Sequence, residues 1–553
     1  MAPAPTMAGT QSIADLTTKL RTTTGDIPPS LIGASSTIVG DRLYLFGGRL
    51  QASAEVLDKV YVLNLASGKW TLLKPKNDAP TPRYFHSANV CRTNKKTTSI
   101  IFYGGLTVST MDTDGLRSLG DLFLLVLDQN QPYWEYPAIS SENMPHERYS
   151  HLTTMTHNDR YFVVLGGQDV NAGYIDEINI YDCRQKKWRA PYPINSHYCT
   201  YRTAAATVTP ISPSISVPSS NFSGLLGNLE VVHRQKLNST IFTYSNYNFY
   251  DLKRTLHQIT ISNKGHVVST TDLTTSLIGS RQNTPPALRF PAAFACGHHL
   301  IVVGPCITPE SQQLHVWALN VVSMAWSRID PGPALLRGSW LRGMLHENRN
   351  QFIVFGHPGR SMQDDHTQRV IHFEYFASID TEAFGVYRPP QLTFGPAAQE
   401  AGLALLSNPA LSDITMVSTD GFRVRANSKI IAQRWPSVHT RLIPLVSPTY
   451  TLTFPDTYDI LIAFIQFLYT DHLTTVEQNQ PRILTRLLLL ADLFALGRLK
   501  SLTIHSLHQM LQISTAPDIY QTAALADCPS LQIRALRVMV NAKKIIQHQQ
   551  NQQ

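Results

Sequence analysis

The sequence predicts a molecule of two unlike parts. An all-β, six-bladed β-propeller spans residues 29–388, and an α+β domain over 408–512 follows, with a C-terminal helical extension over 513–545. Three observations point there. A short β run ending in glycine recurs, with glycines at positions 47, 104, 166, 304 and 356. Each run is followed by an alternating strand, and in most copies by a tryptophan that opens the next strand. After residue 407 the alternation gives way to helical spacing of apolar residues.

In chain order, residues 1–28 are small, Thr-rich and polar and read as a tail. The first unit has Asp41 to Phe46 ending in Gly47-Gly48, the strand Val60 to Leu65, and Trp70. The second has Arg83-Tyr84-Phe85-His86, a run ending in Gly104-Gly105, the strand Asp121 to Leu127, and Trp134. The third has Arg148-Tyr149-Ser150-His151, a run ending in Gly166-Gly167, the strand Glu177 to Asp182, and Trp188. The fourth keeps the run Ile241 to Tyr244 but has Ser245-Asn246 in place of the glycines, no tryptophan, and a Pro/Ser-rich insertion over Thr209 to Ser220 that reads as a surface loop. The fifth keeps Gly304 and Trp326, and the sixth keeps Gly356. The first and last units both look complete, so no strand exchanged between the ends is expected.

A lone four-stranded sheet leaves two edges and a face unburied, and radial stacking of such sheets solves both problems. Double glycine lets the backbone turn where side chains clash. A tryptophan opening strand four is expected to pack between neighbouring sheets. The pattern of Gly-Gly after strand two, a hydrophobic-Tyr run in strand three and Trp near strand four resembles the kelch repeat.

Residues 389–407 carry turn punctuation and read as a linker. Beyond them stand Ser412-Asp413-Ile414, then Phe422 before a helix containing Lys429 to Ala432, then Leu468-Tyr469-Thr470, and Leu489-Leu490-Ala491-Asp492-Leu493-Phe494. This order resembles the BTB (POZ) domain. Two features depart from it. Asn427-Ser428 stands where that family usually places a histidine before the lysine, and no acidic residue lies between Ile430 and Phe454, so the hydrophobic-x-Glu motif of many cullin-binding members is missing. Residues 513–545 read as a helical hairpin and 546–553 as a tail.

Charged residues make up 16% of the chain, hydrophobic residues 43%, and the net charge is +8. With no clustered basic stripe, no nucleic-acid partner is expected. No stretch has the length and apolarity of a signal peptide or a spanning helix, so neither secretion nor membrane insertion is expected. Six scattered cysteines without Cys-x-x-Cys spacing fit reduced thiols in a cytoplasmic protein. Kelch propellers include a copper oxidase, but the adjacent pair His298-His299 precedes a strand and is expected to point to opposite faces, which suits no shared metal. No metal, cofactor or catalytic residue is expected.

The kelch resemblance places the loop after Gly-Gly and the loop before strand one on the partner side. That implies Arg49, Tyr84, Phe85, Tyr149, Ser150 and Gln168 as client contacts, with Thr107 to Gly120 as a specificity loop. Arg83 and Arg148 admit two readings: buried ties between blades, or a ring of cations at the channel mouth that takes acidic segments. His86 and His151, at one repeated position, are expected to tie loop to strand. The BTB resemblance, carried by Asp413, Phe422, Tyr469, Ala491 and Asp492, implies self-association and recruitment of a second partner, in that family often a cullin-RING ubiquitin ligase. The two resemblances together imply a non-enzymatic adaptor acting on signalling proteins such as Ras-type GTPases, since propeller-first order resembles the leucine-zipper-like regulators of those GTPases and fungal kelch–BTB proteins. The alternative is a signalling or polarity scaffold with no ligase role.

Overall fold

Short β-rich stretches separated by turns become antiparallel sheets wherever one strand can bury its apolar alternation against the next. In the computed structural model this gives six sheets of four or five strands between residues 18 and 380, and a smaller three-stranded sheet of Val370–Ile371, Leu31–Ile32 and Arg49–Leu50. The structure describes residues 13–92, 97–109, 115–128, 131–208, 238–247, 253–280, 284–308, 312–438 and 450–550. They form two compact units, divided near residue 388.

The innermost strands of the first unit close a ring. Ser35–Val39 lies against Ser87–Cys91, that against Leu152–Met155, then Thr203–Val208, Ala292–Cys296 and Ser339–His346, which returns to Ser35–Val39. The blades are numbered from one to six in that order. At four of the six seams the faces are cemented by an aromatic pair built on a tryptophan. Trp70 meets Phe355 of blade six at 5.9 Å between ring centroids, and Trp134 meets Phe46 of blade one at 5.3 Å. Trp188 meets Tyr103, and Trp326 meets Tyr244, each at 5.3 Å. In all four pairs the partner ring stands immediately before the glycine position of the preceding blade. The repeated Trp and the repeated aromatic-Gly are therefore two halves of one joint.

The ring is closed by an exchanged strand, contrary to the sequence expectation. Thr18–Thr22, placed in a tail by composition, is the outer strand of blade six and pairs antiparallel with Tyr375–Asp380. Arg21 then reaches blade one, donating to the carbonyls of Leu65 at 3.0 Å and Ala66 at 2.7 Å. Thr24–Gly25 runs parallel to Lys69–Leu73 on the same blade. The strand escaped the sequence reading because most of its side chains are exposed, so it has no apolar alternation, and backbone bonds hold it. The expected insertion Thr209 to Ser220 lies outside the described residues.

The histidine ties are as expected in kind. His86 Nε2 bonds Ser35 Oγ at 2.7 Å and His151 Nε2 bonds Ser87 Oγ at 2.9 Å, each reaching the preceding blade's first strand. Burial and then the Arg148 charge push the His151 ring down to about 3, and burial pushes His86 well below its ordinary value. The unfolded chain takes up these protons near pH 6.5 and the folded chain does not, so stability is full above that pH and falls as pH drops through it. The expected loss is about 1.4 kcal/mol per pH unit per histidine below pH ~6.5. Thermal melts from pH 7 to pH 5 check this, and His151→Gln should flatten the pH slope.

The second unit has a three-stranded sheet in the order Arg423–Ala426, Ile414–Val417, Tyr450–Thr453, the last pair parallel. Helices follow at Tyr458–Thr470, Pro481–Leu493, Gly497–Gln509, Ala516–Leu525 and Pro529–Gln550. Ile460, Leu461, Phe464, Ile465 and Leu468 put the first of these into the core, at helical spacing. The expected linker contains a helix, Pro396–Leu406, because Pro396 occupies a first-turn position instead of breaking the chain. It packs on Tyr458–Thr470 so closely that a Cβ at Gly402 would lie 2.5 Å from the Tyr469 carbonyl oxygen. The last helix likewise runs through the expected tail to Gln550. Asp413 accepts from the Ser428 amide and hydroxyl, both at 2.6 Å, and the Tyr469 hydroxyl accepts from the Asn427 amide at 2.8 Å. Asn427 caps the helix Ser428–Arg434. Ala491 is buried, Asp492 pairs with Lys500 at 2.6 Å, and Phe422 is exposed against Tyr458.

Candidate partner-binding face

The loops that lead into strand one of blades one to five are joined into a belt of backbone hydrogen bonds. Phe85 N donates to Gly33 O, Ser150 N to Phe85 O, Thr200 N to Ser150 O, and Phe290 N to Tyr201 O, at 2.8 to 3.2 Å. Phe85, Ser150 and Phe290 reach these bonds with φ of 54°, 51° and 45°, a left-handed turn that non-glycine residues seldom adopt. The belt fixes which side chains can point outward at the mouth.

It also decides between the two readings of Arg83 and Arg148. Both side chains are 0% exposed. Arg83 forks onto Asp121 at 2.6 and 2.7 Å and donates to the carbonyls of Gly104 and Thr81. Arg148 bonds Glu177 at 2.7 Å and the carbonyls of Gly166 and His146. Their own carbonyls accept from the amides of Gly48 and Gly105 in the preceding blade, at 2.8 and 2.9 Å. They are rivets of the ring, and the expectation that they contact a client is corrected. Tyr84 and Ser150 are also buried, because their backbones are held in the belt and in a bridge to the glycine loop.

The glycines make room for this. Gly166 has φ +60° and a Cβ there would stand 2.2 Å from the Tyr198 carbonyl oxygen. In blade four, where the glycines are lost, Asn246 Nδ2 donates to the Leu288 carbonyl at 3.2 Å, so a side-chain amide replaces the glycine N–H.

Arg49, Phe85, Tyr149 and Gln168 remain half-buried at the mouth. Gln168 ties its own loop by donating to the Ala172 carbonyl. Arg49 lies over the Tyr84 ring at 5.5 Å, with its buried Nε unpartnered. The sequence reading missed Arg369, which sits in the blade-six loop in a left-handed turn and is exposed. Its guanidinium lies 4.3 Å from the Phe290 ring centroid and 5.2 Å from that of Phe85, joining blades five and two. Crowding lowers its pKa, an effect opposed by the nearby Tyr149 hydroxyl. Among the described residues neither Arg49 nor Arg369 has a carboxylate partner, unlike Arg83 and Arg148. Arg369 stands outside the repeated motif, so periodicity could not find it.

The segment Thr107 to Gly120, expected to be a specificity loop, is largely strand where it is described. Thr98–Val108 and Leu116–Leu127 run as one hairpin, Arg117 reaches Glu147 at 3.9 Å, and Asp112 and Asp114 lie outside the described residues. His298 and His299 have ring centroids 4.2 Å apart, not the opposed directions expected, because His298 is still in the turn. Among the described residues no cluster of three His, Cys, Asp or Glu side chains could hold a metal ion, and no helix is long and apolar enough to cross a membrane.

Residues 11–211 match the family model described as the KLHDC2/KLHL20/DRC7 Kelch-repeats domain. The first unit carries a Kelch-repeat domain. Over 93% of its length the chain is 26% identical to Protein ral2 of Schizosaccharomyces pombe, covering 92% of that protein. Shorter similarities cover single segments: 32% identity over 140 residues with the Rho GTPase-activating protein gacHH of Dictyostelium discoideum, 8% of that protein, and 28% over 149 residues with Kelch repeat-containing protein 2 of Saccharomyces cerevisiae, 16% of that protein.

Proposed function

We propose that this protein is a non-enzymatic adaptor in the cytoplasm whose Kelch-repeat propeller holds an acidic segment of a client protein. The observation that supports this reading most is the pair of unpaired, ring-flanked guanidiniums, Arg49 and Arg369, at the mouth of a rigid ring. An arginine fork with no internal carboxylate is suited to a partner's carboxylates. Phe85, Tyr149 and Phe290 supply the aromatic surface that interface hot spots favour. Clients in Ras-type GTPase signalling fit the resemblance of the domain order.

The second unit is proposed to act as a BTB-type module that self-associates and recruits a further partner. Its sheet, its helical order and the Asp413–Ser428 and Asn427–Tyr469 bonds are compatible with that reading. A self-associated pair presents two propellers and gains avidity. Recruitment of a cullin-RING ligase is one use of such a module. The missing acidic residue between Ile430 and Phe454 favours the second reading, a signalling or polarity scaffold. Proximity labelling with the full chain and with an Arg49→Glu/Arg369→Glu variant tests the proposal. The expected result is a set of client proteins lost in the variant, with self-association and melting temperature kept. Identical neighbour sets would refute the client face. A cullin among the neighbours retained by both proteins decides for the ligase use.

A further inference from the structure

Seams between innermost strands are linked by small neutral groups in several places. Thr37 Oγ1 donates to Ala88 O, Thr153 Oγ1 to Asn89 Oδ1 at 2.6 Å, and Thr154 Oγ1 bonds Thr207 Oγ1 at 2.8 Å. The seam between blades six and one is different. There Arg342, in the middle of Ser339–His346, donates Nε to Ser36 Oγ at 3.1 Å. Its Nη groups have no carboxylate partner among the described residues. The side chain is half-buried, and it stands on one of the innermost strands, which line the central channel of the ring. Burial lowers its pKa with no acidic group offsetting the effect, and its charge helps keep the nearby His86 ring neutral.

A half-buried guanidinium whose Nε is already fixed on a hydroxyl and whose Nη groups have no carboxylate partner among the described residues is a preformed fork for an oxyanion. The Ser36 hydroxyl accepts from Nε and keeps its own hydrogen to donate. We propose that the central channel holds one small inorganic oxyanion, of the phosphate or sulfate class, on the Nη groups of Arg342 and the Ser36 hydroxyl. This site lies on the wall of the ring and is independent of the client face at Arg49 and Arg369. A client carboxylate threaded into the channel has the same chemistry, and the test below is made on the purified chain alone to separate the two sources.

Full-length protein is melted in a gluconate buffer of constant ionic strength with increasing sodium phosphate. A saturating rise in Tm of about 3 °C is expected, as for a ligand that binds only the folded state. Arg342→Met should abolish the rise, and Arg369→Glu should leave it intact. A linear rise shared by wild type and Arg342→Met is general salt exclusion and overturns the proposal. If Arg342→Met does not fold, equilibrium dialysis of wild-type protein with labelled phosphate replaces it. One phosphate per chain, bound several-fold more weakly by Ser36→Ala and unchanged by Arg369→Glu, supports the site. No bound phosphate, or loss through Arg369→Glu alone, overturns it.

Discussion

Arg148→Ala is expected to unfold the propeller at a much lower temperature and not merely to weaken a client contact. The substitution removes three hydrogen bonds, one of them the ion pair with Glu177, inside a site where the arginine is 0% exposed. Breaking a buried ion pair from one side leaves an uncompensated charge, at about 3–5 kcal/mol. Because the Arg148 carbonyl also accepts from Gly105, the seam to blade two is expected to loosen with it. Arg148→Lys should recover little, since an ammonium cannot make the planar fork. Differential scanning calorimetry reads the loss as a fall in Tm of the order of 10 °C. An unchanged Tm would return Arg148 to the client face.

The second large effect is expected from deleting residues 1–23. This leaves Tyr375–Asp380 as an exposed edge, removes the whole ladder from Thr18↔Ile379 to Thr22↔Tyr375, and releases the Arg21 clamp on Leu65 and Ala66. At ~0.5–1.5 kcal/mol per hydrogen bond the loss is about 5 kcal/mol, comparable with the whole stability of many domains. The uncovered edge also invites pairing between chains. Aggregation on expression or a lost cooperative transition in circular dichroism is the expected result. A truncated chain that melts like the full one would show that the ring holds without its exchanged strand.

These two effects mark where the sequence was legible. The glycines and tryptophans were readable because the same joint recurs and each copy reinforces the others, whereas the aromatic before each glycine emerged only as the partner of a tryptophan. Arg83 and Arg148 were found for the same reason, yet repetition could not say on which side of the wall they stand. Their partners, Asp121 and Glu177, sit one strand away in sequences that look like ordinary β runs. Asn246 hid the fourth joint, because an amide side chain performs there what a glycine N–H performs elsewhere. Thr18–Thr22 was invisible because an outer strand held by backbone needs no apolar pattern. Arg369 was invisible because it belongs to a single loop, and its place at the mouth emerges only when Phe85 and Phe290, 205 positions apart in number, are brought to either side of it.

The proposed division of labour among the arginines is the claim on which the rest depends: the buried, carboxylate-paired Arg83 and Arg148 build the ring, and Arg49 and Arg369, without a carboxylate partner among the described residues, are proposed to take the client. The most direct measurement is the affinity of the full chain for a client recovered by proximity labelling, taken as a function of sodium chloride concentration. The account predicts affinity that falls steeply as salt screens an exposed guanidinium–carboxylate contact, with the slope reduced in Arg369→Glu and its Tm unchanged. Binding that is insensitive to salt, or a slope that Arg369→Glu leaves as it was, would contradict it.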